Sequence, residues 1–180
     1  NTGQESFKGF WSAHPLFHAV EGMQILINGN PPMTKEFSFS GRMGSDGVDG
    51  YAGHLDTYTW PNTVGESGRS YDLSQITLAN PLTDKVVLAA PNDGEITLLN
   101  PRHKCAVRLS FDPQEIPFVG ICFNLNAWPF TGEKARWVAI EPSTGPTDKL
   151  DESDRMCEIR IFTPQGPVTF TFTLTLSSLL

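Results

Sequence analysis

Residues 168–176 read Val168-Thr169-Phe170-Thr171-Phe172-Thr173-Leu174-Thr175-Leu176, an apolar side chain alternating with threonine at every step. A helix brings side chains to one face every 3.6 residues, a strand every second residue, so this stretch predicts a strand with one buried apolar face. Threonine, β-branched, suits the other face. Outward from this segment, the same reasoning predicts strands at 23–28, 85–90, 95–99, 105–111, 118–123, 136–140 and 157–162. Turn formers separate them: Asn30-Pro31-Pro32, Asn80-Pro81, Asn100-Pro101, Asp112-Pro113 and Thr163-Pro164-Gln165-Gly166-Pro167. Asn92-Asp93-Gly94, between two predicted strands, reads as a hairpin turn. Helical periodicity is confined to single turns near 72–74 and 153–156. Short strands with regular turn signals indicate an all-β fold, an antiparallel β-sandwich or barrel, as one domain over 1–180.

Composition narrows the classes of function. The 180 residues carry 13 Lys and Arg against 20 Asp and Glu, a net charge of −7, which does not suit a surface that must neutralise a row of phosphates, so no nucleic-acid partner is expected. No apolar run approaches the roughly 18 residues of a membrane span. Of the three cysteines, Cys105, Cys122 and Cys157, none lies in a C-x-x-C pair. They read as reduced thiols, and the start Asn1-Thr2-Gly3-Gln4 has no secretory leader pattern, so the expected location is cytoplasmic. The stretch 41–70 is Gly-rich and poor in aliphatics yet holds His54, Asp56, Tyr58 and Trp60. It reads as a long functional loop.

Nucleotide and serine-hydrolase chemistry have no motif here: G-x-G-x-x-G, a P-loop and G-x-S-x-G are all absent. His103-Lys104-Cys105 and Asp46-Gly47-Val48-Asp49-Gly50 lack the ligand number or spacing of zinc and calcium sites and read as turn chemistry. No metal and no cofactor are expected. The acidic residues Asp148, Asp151, Glu152 and Asp154 read as a solvated loop. Three places carry more. His14, in Trp11-Ser12-Ala13-His14-Pro15-Leu16-Phe17, is either a proton donor near neutral pH or an imidazole bonded to a backbone carbonyl. His54, Asp56 and Tyr58 would share one face of an extended segment, a polar set suited to sugar hydroxyls or a decorated surface strand. Glu141 follows the apolar run Trp137-Val138-Ala139-Ile140 and precedes Pro142, which removes a ladder donor and holds Glu141 extended. A carboxylate there either serves a purpose that offsets its burial or reaches solvent where the strand ends.

In this order the three places resemble the aldose 1-epimerase (galactose mutarotase-like) family, in the later half of its chain. His14-Pro15-Leu16-Phe17 is similar to the family's His-Pro-x-Phe, and Leu55-Asp56-Thr57-Tyr58-Thr59 resembles its Leu/Phe-Asp-x-x-aromatic motif. Glu141-Pro142-Ser143-Thr144-Gly145-Pro146-Thr147-Asp148-Lys149-Leu150 follows Glu-Pro-x-Thr-Gly-x-x-Asp-x-Leu throughout. Pro117–Asn124 also resembles the family's preceding strand. The resemblance implies an antiparallel sandwich that is part of a supersandwich, and mutarotation of a free aldose by acid–base catalysis without a cofactor. Glu141 would be the base, His14 the acid and Asp56 a sugar-orienting residue, with Glu141 and His14 on opposite sides of the sugar's C1–O5 edge. The family's earlier half has no counterpart here. That implies a C-terminal portion of a longer chain, or a partner chain supplying the other half, and a sandwich with uncovered apolar strand faces. The alternative is a non-catalytic carbohydrate-binding sandwich using aromatic platforms such as Trp11, Trp60 or Trp128.

Overall fold

A computed structural model describes residues 1–36, 57–65, 67–79, 81–129, 131–156 and 158–179. In chain order the strands are β1 (Phe7–Gly9), β2 (Leu16–His18), β3 (Gln24–Ile27), β4 (Pro32–Lys35), β5 (Thr57–Thr59), β6 (Asn62–Val64), β7 (Ser70–Asp72), β8 (Leu82–Ala89), β9 (Glu95–Asn100), β10 (Cys105–Phe111), β11 (Phe118–Leu125) and β12 (Arg136–Ser143). A short helix α1 (Leu150–Arg155) follows, then β13 (Arg160–Phe162) and β14 (Phe172–Ser178). They form an eight-stranded sheet ordered β2-β12-β11-β8-β4-β5-β6-β7, a four-stranded sheet ordered β14-β10-β9-β3, and the pair β1-β13. The strand pairs are antiparallel.

The core lies between the two larger sheets. Val86, Leu88, Val119, Ile121, Phe123, Val138 and Ile140 come from one, Ile25, Ile96, Leu98, Leu109 and Phe111 from the other. Each fully buried aliphatic or aromatic side chain contributes roughly 1.5–3 kcal/mol. Alternation then sends the intervening residues of β8, β11 and β12 to the opposite face of the eight-stranded sheet. Those residues include Lys85, Cys122 and Glu141, all buried. These three strands are therefore covered on both faces, and the second face carries the polar groups. Among the described residues no helix is long and apolar enough to cross a membrane.

Several sequence expectations meet a different structure. The turn at 91–94 closes with Gly94 N–H donating to Pro91 O at 2.8 Å, but β8 and β9 belong to different sheets. Asn92-Asp93-Gly94 therefore carries the chain from one layer to the other and makes no hairpin. Gly94 sits at φ +63°, where an added Cβ would lie 2.0 Å from Phe111 O, so the crossing needs glycine. The described part of the supposed loop forms β5, β6 and β7, a short antiparallel extension of the sheet. At 72–74 there is no helical turn: Asp72 ends β7 and its Oδ1 accepts Ser74 N–H at 2.9 Å, an Asx turn. The helical turn near 153–156 is real and begins earlier, at Leu150.

The strand that decided the fold class is present only from Phe172, as β14, with residues 168–171 outside it, and its apolar face is not buried along its length. Leu174 pairs with Leu109 and Leu176 with Val107, which puts them on the core-facing side of the four-stranded sheet. Leu174 is nevertheless 48% and Leu176 73% exposed. β14 is the edge of its sheet, and the edge β2 of the opposite sheet has only three residues. Trp11 stacks on Phe170, 4.9 Å between centroids, and touches Phe172. Beyond Phe172 the residues of β14 are exposed.

Candidate functional site

β12 is the axis of the site. Its register with β2 pairs Trp137 with His18, Val138 with Phe17 and Ala139 with Leu16, and an isolated bridge pairs Ser143 with Ser12. The same register places His14 directly opposite Glu141. Two hydrogen bonds hold it there: Ala13 N–H donates to Pro142 O at 3.0 Å and Ile140 N–H to Pro15 O at 3.3 Å. Each of those pairs would ordinarily make two bonds. Pro142 and Pro15 each lack the second donor. The pair between them, His14 and Glu141, then occupies a non-hydrogen-bonded position, where facing side chains approach closely. The dipeptides His14-Pro15 and Glu141-Pro142 are thus one local structure, built on adjacent segments.

His14 Nε2 stands 2.9 Å from Glu141 Oε1. The contact has ion-pair distance but not hydrogen-bond alignment, and Oε1 makes no other hydrogen bond. The imidazole is 54% exposed and the carboxylate side chain 4%. Trp137 flanks the imidazole edge-on, with ring centroids 6.4 Å apart. The acid and base expected to flank a sugar thus touch each other, and no ring fits between them as they stand. Of the two, His14 is the one that reaches solvent.

The other carboxylate oxygen is tied from below. Lys85 Nζ donates to Glu141 Oε2 at 2.7 Å and to Asp148 Oδ1 at 2.6 Å. Burial by itself pushes the Lys85 pKa down, but the Glu141 charge and the hydrogen bonds to Asp148 and Glu141 outweigh it, so the ammonium is held above its usual 10.5. Asp148 is positioned by its own loop. Its N–H donates to the buried Glu36 Oε2 at 3.0 Å. Thr147 Oγ1 and the buried Ser153 Oγ lie 3.0 Å apart, pinning α1 against the loop. Ser143 Oγ donates to Gly145 O and accepts Gly145 N–H, while Thr144 exchanges bonds with Trp11. The run 141–150 is therefore one folded unit. Its acidic residue 148 belongs to the site and is no part of a solvated loop.

Burial, and next the Glu141 charge, push the Cys122 thiol up to about 12. It stays protonated and inert. Cys105 and Cys122 are free thiols; Cys157 lies outside the described residues. A recess of about 40 Å³ adjoins Glu141, lined by Lys85, Gly120, Ser143, Thr147 and Asp148 among others, but not by His14. That is room for a water or a hydroxyl, not for a sugar ring. Asp56 and His54 also lie outside the described residues. Trp60 is 2% exposed in the core and offers no platform, Trp11 is stacked on Phe170, and Trp128 is half exposed. Among the described residues no cluster of three His, Cys, Asp or Glu is placed to hold a metal ion.

Glu141 is not at the strand's end, since β12 runs on to Ser143. The sequence reading missed Lys85, whose signal was a cation next to Asp84 at the head of the apolar run Val86-Val87-Leu88-Ala89. It missed Gly120 as well. A Cβ there would lie 3.1 Å from Glu141 Oε2 and 3.4 Å from Lys85 Cε, so the glycine makes room for the ion pair.

No protein-family model and no curated protein match the sequence. Solved structures do match. A candidate aldose 1-epimerase from Escherichia coli K12 superposes with a TM-score of 0.61 at 13% identity, over 99% of this chain and 54% of that one. A galactose mutarotase related enzyme from Lactobacillus acidophilus gives 0.54 at 18% identity, over 99% and 55%. The Slr1438 protein from Synechocystis sp. PCC 6803 gives 0.55 at 14%, over 99% and 48%. The chain has the galactose mutarotase-like sandwich fold and spans about half the length of these structures.

Proposed function

We propose that this chain carries the acid–base pair of a mutarotase, with Glu141 as the base and His14 as the acid. The observation that supports this most is the pairing itself: a buried carboxylate and a half-exposed imidazole at facing register positions, 2.9 Å apart, on the polar face of a sheet whose fold is that of mutarotase-like proteins. In the reaction, His14 turns outward and the sugar's C1 end meets Glu141 Oε1. Glu141 takes the proton of the anomeric O1–H while protonated His14 gives one to the ring oxygen. The C1–O5 bond breaks, leaving an open-chain aldehyde. After rotation about C1–C2, O5–H attacks the other carbonyl face; His14 recovers its proton and Glu141 returns the other to O1. Protons and bonds balance, and no cofactor enters. Asp56 orients the hydroxyls. The substrate is a free aldose such as a hexose, and the other half of the sugar site is supplied by a further length of the polypeptide or by a separate chain.

Polarimetry on freshly dissolved α-glucose and α-galactose tests the reading. Wild-type protein should speed the approach to equilibrium, and Glu141→Gln, which keeps the shape and removes the basic oxygen, should lower kcat by about 10²–10⁴-fold with KM little changed. Unchanged turnover in Glu141→Gln removes the base from the mechanism. Saturable sugar binding by NMR without any rate acceleration would favour the carbohydrate-binding alternative.

A further inference from the structure

Lys85 joins two carboxylates, Glu141 and Asp148, that lie 56 and 63 positions from it in the sequence, and the groups around Glu141 come from several elements. His14 faces Oε1 from the segment before β2. Lys85, on β8, holds Oε2. Asp148, after β12, holds Lys85, and Glu36, after β4, holds the Asp148 backbone. Cys122, on β11, is neutral. Glu141 is thus gripped through one oxygen only. A carboxylate gripped this way cannot rotate about its terminal bond without breaking a buried charge-assisted hydrogen bond.

We infer that Lys85, braced by Asp148, is a positioning residue: it fixes Glu141 Oε2 so that Oε1 alone is presented to the sugar. This rests on the reading of Glu141 as the base, which it deepens. Three observations carry it. The two contacts of Lys85 are short, 2.7 and 2.6 Å. Gly120 lies where any Cβ would press on both members of the pair. The Asp148 loop is itself tied at Glu36 and at Ser153 through Thr147. The ammonium stays charged at neutral pH, as the raised Lys85 pKa requires. Asp148 has a second part in the arrangement: sharing the ammonium between two carboxylates keeps its full charge from acting on the base.

The test uses the 180-residue chain with ¹⁵N-lysine, following hydrogen exchange of the Lys85 ammonium, assigned by its loss in Lys85→Arg. Wild type should show a protected ammonium signal at neutral pH. In Asp148→Asn, which leaves the site partly solvated and foldable, exchange should quicken by roughly tenfold, the scale of one charge-assisted hydrogen bond. Polarimetry on the same substitutions, with the other half of the sugar site supplied, should show kcat lowered by about 10- to 100-fold with KM nearly constant, as for a misplaced group that does not bind substrate. An ammonium no better protected than the surface lysines, or one indifferent to Asp148→Asn, overturns the inference. So does a raised KM at constant kcat, which would make Asp148 a sugar contact. If no protein accelerates mutarotation even with the other half of the sugar site supplied, while the ammonium responds as described, the base assignment of Glu141 fails and the clamp remains.

Discussion

At the scale of single residues, the site has one rigid and one movable member. Glu141 and Lys85 are buried and mutually neutralising, and removing one leaves the other uncompensated. Lys85→Met should therefore destabilise the fold by about 3–5 kcal/mol, read by denaturant titration. A loss under 1 kcal/mol would mean that water reaches Glu141 freely. The sign with pH follows from the raised Lys85 pKa. Because the folded value lies above the unfolded 10.5, the ammonium's contribution is complete below 10.5 and disappears only as pH climbs through the folded value. Stability should accordingly fall on the alkaline side above 10.5, and Lys85→Met should lose that part of the dependence. His14 is half exposed, so its contact with Glu141 adds little stability, by the measure of solvated ion pairs. His14→Ala should leave stability within about 1 kcal/mol of wild type while lowering kcat by about 10²-fold or more. A large loss of stability would make the imidazole structural.

Elements set which side chains can meet. The segment 10–18 stays beside β12 with two of its ladder bonds missing, because Pro15 and Pro142 cannot donate. That gap is local and lies on either side of the His14–Glu141 pair. The loop from Ser143 to α1 has the opposite character: it is tied at Trp11, Gly145, Glu36 and Ser153. Gly145 shows how tightly. A Cβ there would lie 2.8–3.0 Å from three atoms of Phe10. Gly145→Ala should cost about 1–3 kcal/mol and displace the Asp148 loop, visible as chemical-shift changes at residues 10 and 144–149. An alanine variant of unchanged stability would show that Phe10 gives way without cost. These constraints were legible in part. The resemblance to the family's Glu-Pro-x-Thr-Gly-x-x-Asp run set the segment apart, yet Asp148 read as a solvated acid because nothing local shows that a lysine 63 positions earlier lies beside it.

For the whole molecule, the open flank at β14 is the feature with the largest consequence. Leu174 and Leu176 continue the apolar face of the four-stranded sheet beyond the layer that covers it, and edge strands with exposed apolar faces invite pairing. The 180-residue chain should self-associate with rising concentration in sedimentation experiments. Leu176→Lys should restore a monomer while changing stability by less than about 0.5 kcal/mol, as for an exposed side chain. A wild-type chain that stays monomeric at high concentration would show the flank to be harmless. The physical division of labour runs along the same lines. Alternation and turn chemistry are local, so the sequence by itself determined the all-β class and most strand positions and singled out His14 and Glu141 separately, while their placement in one site was only what the family resemblance implied. Which layer a strand joins is not local. Only the tertiary structure turned the Asn92-Asp93-Gly94 bend into a crossing between sheets, left half of the most regular strand uncovered, and brought Lys85 from β8 between Glu141 and Asp148. Coulomb attraction acts over a few ångströms of space whatever the separation along the chain, so an ion pair 56 residues apart in sequence exists only once the sheet order β12-β11-β8 has been set.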